Sequence, residues 1–221
     1  MCFSASASFA TAALTGGVGI VALSRVSTAR EMPMAAMPLV FAAQQAAEGV
    51  IWLGSTRHWP SYSVMLAANT FVLIALAFWP FWSPLAIGLM ERMRRRRRLI
   101  FALLPVGLGL GIWSALSIFA QPYAPSIVHD SICYISDTPY PMIIFPIYVL
   151  CTIAPLLISS DSRIRLLGGI LGMGLIVSLG FFYETFISVW CFFAAAASIG
   201  IFNILERNAA KPLSTEQATQ A

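Results

Sequence analysis

Seven stretches of the chain are apolar, each close to the ~20 residues that an α-helix needs to cross the hydrocarbon core of a bilayer. They run about Phe3–Ser24, Pro33–Ser55, Tyr62–Ser83, Leu99–Ala120, Pro141–Ile158, Ile164–Tyr183 and Phe186–Leu205. Backbone polar groups in lipid must satisfy one another, which leaves the helix as the form such segments take. The expected fold is all-α: a seven-transmembrane-helix bundle forming one domain over residues 1–206, with a polar, disordered cytoplasmic tail over 207–221. With 59% hydrophobic and 10% charged residues among 221, no separate soluble domain fits beside the spans. Pro80 and Pro84 are expected to kink or end the third helix, with Leu85–Met90 continuing it toward water. The stretch Gln121–Tyr140 reads as a long Pro-rich loop.

The cations set the orientation. Alternate connections hold Arg25 and Arg30, then Arg92 and Arg94 to Arg98, then Arg163 and Arg165, then Arg207 and Lys211, leaving only Arg57 on the opposite side. The positive-inside rule then puts the N-terminus outside and the C-terminus in the cytoplasm, in a bacterial-type cytoplasmic (inner) membrane. The net charge of +4 therefore reports topology rather than a nucleic-acid partner. The run Arg92–Arg98 lacks the aromatic interleaving that base stacking needs and lies between two spans, which suits anionic lipid headgroups. No basic region precedes the first span, so the start does not read as a cleavable signal.

Against this background one helix face stands out. In Phe41-Ala-Ala-Gln44-Gln45-Ala-Ala-Glu48-Gly-Val-Ile-Trp52, the residues Gln44, Gln45, Glu48 and Trp52 share an arc of roughly 100°. A carboxylate in hydrocarbon costs about 2.5–3.5 kcal/mol on insertion scales, so Glu48 is expected to face the bundle interior with a partner. Depth counting at ~1.5 Å per residue puts Glu48 and Asn69 in the outer half. Glu184, Cys191, Cys2, His129 and Cys133 fall there too.

Three functions compete for these residues. The leading one is an outward-facing polar pocket centred on Glu48 that handles a proton, cation or small ligand, as transporter or sensor. Gln44, Gln45 and Asn69 would orient the carboxylate, with Trp52 and Glu184 nearby. The second is a non-catalytic accessory subunit of a larger membrane complex, or a homo-oligomer, with the polar stripe as interhelical glue. The third is a zinc or copper site drawing on Cys2, Glu48, His129, Cys133 and Cys191, with redox or hydrolytic activity. A structural disulfide between Cys2 and Cys133 competes with that metal site.

Several machines are excluded. A retinal pigment needs a lysine in a span, and the single lysine, Lys211, is in the tail. Zinc hydrolases of the ceramidase type look for several intramembrane histidines, but His58 and His129 both fall in outer loops. No Gly-x-Ser-x-Gly, His-Glu-x-x-His or phosphate-binding loop is present.

The opening Met-Cys-Phe-Ser-Ala-Ser-Ala-Ser, the stretch Gln44-Gln45-Ala-Ala-Glu48-Gly and Ser188-Val-Trp190-Cys191-Phe-Phe-Ala together resemble a family of bacterial multi-pass membrane proteins with no established activity. That resemblance covers most of the chain. It implies that Cys2, Glu48 and Cys191 belong to one shared pattern, and it implies no function.

Overall fold

The computed structural model describes residues 4–136 and 144–205. Six helical stretches in it are long and apolar enough to cross a membrane: Ala5–Ser24, Met32–Thr56, Ser61–Met90, Arg94–Ala120, Ser162–Phe181 and Tyr183–Leu205. A seventh apolar helix, Ile144–Ile158, is shorter, and its expected start at Pro141 lies outside the described residues. The helical bundle of the sequence reading is present. Cys2 and the tail beyond Leu205 lie outside the described residues.

In chain order the elements are α1 (Ala5–Ser24), α2 (Met32–Ala35), α3 (Met37–Thr56), α4 (Ser61–Val72), a π-helical turn (Leu73–Phe78) and α5 (Trp79–Met90). Then come α6 (Arg94–Ala120), strands β1 (Ala124–Val128) and β2 (Ser131–Ile135), α7 (Ile144–Ile158), α8 (Ser162–Phe181) and α9 (Phe186–Ser198). Helix α3 packs on α4 and α9, α5 on α7, α7 on α8, and α8 on α9, closing a ring. Helix α1 lies outside it against α3, and α6 lies outside against α5 and α7. The window of the α2–α3 span is 56% buried, against 22% for α1 and 28% for α6, so α3 is the inner helix. Its polar stripe faces the ring because only there can those side chains find partners.

The helix that includes α4 and α5 does not stop at its prolines. It widens into the π turn instead, and the reason lies in hydrogen-bond arithmetic. In the i→i+5 register the carbonyl of Ala75 would meet the N–H of residue 80, and Pro80 has none. The Tyr148 hydroxyl on α7 donates to that carbonyl at 2.7 Å. One turn further on, Pro84 lacks the N–H that the Pro80 carbonyl would otherwise receive. Gly107 of α6 lies against that oxygen, where an added Cβ would collide with it. Gly111 makes the same close approach to the Ala77 carbonyl. These two glycines let α6 seat on an irregular helix that a bulkier residue would hold off.

The Pro-rich loop is a correction to the sequence reading. It forms an antiparallel hairpin in which Val128 pairs with Ser131 across a two-residue turn. His129 (φ 46°) and Asp130 (φ 55°) both adopt left-handed backbone, as a type I′ hairpin turn requires at its two central positions. The usual Asn-Gly signal is absent, so the turn was not legible. Ile132 and Tyr134 of β2 are buried, and Tyr134 stacks on Phe71 of α4 with ring centroids 4.8 Å apart. The hairpin therefore roofs one end of the bundle.

The opposite end gathers the arginine-bearing connections. Arg30, Glu91, Arg92, Arg97 and Arg163 line one crevice there, so the alternation read from the sequence holds along the described chain. Glu91 is the clamp. Its carboxylate accepts from the Ser160 N–H (2.6 Å), the Ser160 hydroxyl (2.6 Å) and the Met93 N–H (2.8 Å), tying the α5–α6 connection to the α7–α8 connection. Arg96 caps the end of α7 by donating to the carbonyls of Ile158 and Ser159.

Two outcomes follow from these locks. Removing the hydroxyl in Tyr148→Phe leaves the Ala75 carbonyl without its donor and is expected to cost about 1 kcal/mol in reversible unfolding in mixed micelles. Burial of Glu91 alone would raise its pKa. Donation from the Ser160 hydroxyl and N–H and the Met93 N–H outweighs burial and holds the carboxyl below its ordinary 4.5. A depressed folded-state pKa stabilises the fold above the ordinary value and loses that contribution as pH falls through the depressed one. The thermal stability of the wild type should therefore fall below about pH 4.5, and Glu91→Gln should flatten that acid limb.

Candidate functional site

Gln44, Gln45 and Glu48 are all fully buried, and each is tied to another residue. The Ser188 hydroxyl of α9 donates to Glu48 Oε1, and Gln45 Nε2 donates to Glu48 Oε2 at 3.2 Å. The Trp79 indole of α5 donates to Gln44 Oε1 at 3.3 Å, and Trp79 stacks on Phe41 at 4.1 Å. The Cys191 thiol of α9 lies within electrostatic range of Glu48. Gln45 Oε1 is buried with no hydrogen-bond partner among the described residues. One stripe on α3 thus holds both α5 and α9 through polar contacts, and α9 answers with Ser188 and Cys191 at helical i,i+3 spacing.

Next to this group lies a cavity of about 610 Å³ at the hairpin end. Trp190 and Cys191 line it from α9, Tyr123 and Tyr134 from the hairpin side, and Phe145 and Tyr148 from α7. Glu184 and Cys133 also border it, and Glu184 is exposed. The lining is mostly apolar and aromatic. Glu48 does not line the cavity, whereas Cys191, within electrostatic range of it, does. A narrower cleft of about 60 Å³ continues in the ring beyond Tyr148, Trp190 and Cys191, bordered by Phe41, Trp79 and Ser83.

The remaining expected site residues fall elsewhere. Asn69 does not orient Glu48. Its amide forks onto the backbone of Tyr123, accepting from the N–H at 2.8 Å and donating to the carbonyl at 3.1 Å, and it anchors the start of the hairpin. The backbone of Tyr123, beside the end of α4, is its partner instead. Trp52 packs in the apolar core beside Phe71 and Ile132. Glu184 sits in the 3₁₀ turn Tyr183–Thr185, in electrostatic range of Cys133 rather than Glu48.

The metal reading is not met among the described residues, where no three His, Cys, Asp or Glu side chains converge. The hairpin explains why. His129 is carried to its exposed tip, while Cys133 lies along β2. Burial, and then the Glu184 carboxylate, push the Cys133 thiol up. Cys133, Cys151 and Cys191 carry no disulfide to one another, and the expected Cys2–Cys133 disulfide involves Cys2, which lies outside the described residues.

Sequence reasoning missed three members. Ser188 was legible in principle, since it shares a helix face with Cys191. Trp79 is buried, and its indole needed an acceptor. Tyr148 carried no signal, because its partner is a backbone carbonyl in another helix.

Ser188→Ala removes one hydrogen bond from the carboxylate and is expected to cost about 1 kcal/mol in micelle unfolding. Glu48→Leu should cost more, about 2–3 kcal/mol, because the Ser188 hydroxyl and Gln45 amide both lose their acceptor. A Glu48→Leu variant as stable as the wild type would remove this carboxylate as the tie between α3 and α9.

No curated protein and no solved structure matches this chain. A family model does, over residues 1–216. With nearly its whole length covered, the chain belongs to the family of unknown function DUF6629.

Proposed function

We propose that the protein binds a small, mainly apolar ligand in the cavity beneath the hairpin, and that the buried Glu48 group responds to its occupancy. With the arginine-rich end in the cytoplasm of a bacterial inner membrane, the cavity opens outward. The observation that carries this reading is the cavity itself. Its volume of about 610 Å³ and its aromatic lining with few polar groups are those of sites that enclose small organic molecules. Glu48 acts from behind the wall rather than as a ligand: Cys191 borders the cavity on the same helix as Ser188, which donates to Glu48. A molecule pressing on Trp190 and Cys191 would shift α9 against α3, where the Ser188–Glu48 pair joins them. That arrangement suits a sensor.

Transport is the second reading, favoured by one feature. The inner cleft shares Tyr148, Trp190 and Cys191 with the outer cavity, so the two lie in series with those side chains as the partition. The Tyr148 hydroxyl, held on the Ala75 carbonyl, would then be the latch.

A thermal-shift series in detergent tests binding, using indole, 1-naphthol and a short isoprenoid alcohol as probes. Ile187→Trp places a large ring in the cavity lining and serves as the blocked control. At least one probe is expected to raise the melting temperature of the wild type and leave the control unmoved. No shift in the wild type, or equal shifts in both proteins, would overturn the assignment.

A further inference from the structure

The crevice at the arginine-rich end is as large as the cavity at the hairpin end, about 830 Å³, and its chemistry is opposite. Three connections build it: residues 28–31 before α2, residues 89–92 at the end of α5, and residues 159–164 leading into α8. Arg30, Arg92, Arg97 and Arg163 all line it.

The carboxylates in the same crevice are already engaged. Glu31 accepts from the N–H groups of Ser27 (2.9 Å) and Thr28 (3.2 Å). Glu91 is held by Ser160 and Met93. Asp161 pairs with Arg163 at 3.2 Å and caps α8 through the Arg163 N–H. Arg163 also donates to the carbonyls of Asn203 and Ile204 at the far end of the α9 span. The guanidinium groups of Arg30, Arg92 and Arg97 have no hydrogen bond or ion pair among the described residues.

Arg30 and Arg92 from two connections and Arg97 from the start of α6 therefore face one space in which four arginines outnumber the three carboxylates, each of which is already engaged. Helix α6 begins beside it with no side-chain cap and no acidic residue in its first turn. Its dipole thus adds positive potential where arginines already accumulate. An anion entering the crevice meets this net positive charge.

We infer that this crevice binds a phosphate group through Arg30, Arg92 and Arg97, and that the phosphate is the headgroup of an anionic phospholipid. Guanidinium forks match phosphate oxygens in pairs. The crevice lies where membrane-length helices end, at headgroup depth. Leu89, Met90 and Ile164 also line it, offering an apolar lip along which acyl chains descend. A free phosphate would have no use for that lip.

The test uses the full chain in detergent, with phosphatidylglycerol, phosphatidylcholine and inorganic phosphate as separate probes at matched ionic strength. Retained lipid is read by native mass spectrometry, and binding by thermal shift. The wild type is expected to retain and prefer phosphatidylglycerol. The triple variant R30Q/R92Q/R97Q is expected to weaken that binding by about fivefold for each arginine removed, at roughly 1 kcal/mol apiece. The variant R94Q/R95Q/R98Q removes the same charge outside the crevice lining and is expected to keep the preference. Each variant is first checked for an unchanged elution volume and helical circular dichroism. Should the first triple variant not fold, R97Q alone carries the same prediction at fivefold. Equal losses in the two triple variants would mean a diffuse charge effect and overturn the site. Stabilisation by inorganic phosphate that matches phosphatidylglycerol, with the same arginine dependence, would overturn the lipid headgroup as its occupant.

Discussion

The polar stripe of α3 is the constraint on which the bundle depends. A glutamate and two glutamines inside hydrocarbon are tolerable only where other helices supply donors and acceptors. Here Ser188 brings α9 to Glu48, and Trp79 brings α5 to Gln44. Apolar packing alone would not fix which neighbours α3 takes, because lipid tails are as good a partner as leucine for an apolar face. Hydrogen bonds with one defined partner do. They place α3 inside the ring and set the rotation of α9. That rotation turns Cys191 and Trp190 toward the cavity.

Backbone irregularity is the second organising element, and it is confined to places where protein rather than lipid can repair it. Pro80 and Pro84 strip donors from two consecutive turns of one membrane helix. The freed Ala75 carbonyl is met by Tyr148 from α7, and the Pro80 carbonyl faces Gly107 of α6. Both repairs come from helices that pack on α5. The π turn therefore sits between the outer cavity and the inner cleft, at the level of Tyr148. π-Bulges recur at functional positions because they re-aim side chains and carry carbonyls that a partner can hold or release.

Much of this architecture was legible in the sequence, for reasons that differ residue by residue. The spans follow from apolar length, and the clustering of arginine-bearing connections at one end follows from their alternation. Glu48 was legible because a carboxylate in lipid is costly wherever it sits. Its partners were not, since Ser188 is 140 residues away and a serine in a membrane helix has many harmless uses. Asn69 shows the complementary error. Depth matched it to Glu48, but depth says nothing about rotation around the helix axis, and its amide turned outward to Tyr123. The hairpin escaped because His129 and Asp130 fill turn positions where Asn and Gly give the usual signal. No periodicity marks a cavity, so the aromatic lining emerged only when five separate segments were brought together.

The two ends of the molecule solve different problems with the same economy of charge. At the hairpin end, polarity is withdrawn into the bundle and the cavity wall is left aromatic. At the arginine end, carboxylates are spent on backbone N–H groups and guanidinium groups are left facing outward. Glu91 joins these roles: by accepting from Ser160 and from the Met93 N–H, it ties the α7–α8 connection to the α5–α6 connection beside the crevice. A change at that end would reach α5 directly, and α5 carries Trp79, the residue that holds Gln44. The connection between the two ends therefore runs through one short helix whose upper boundary is the π turn, where the Ala75 carbonyl is held by the Tyr148 side chain of another helix.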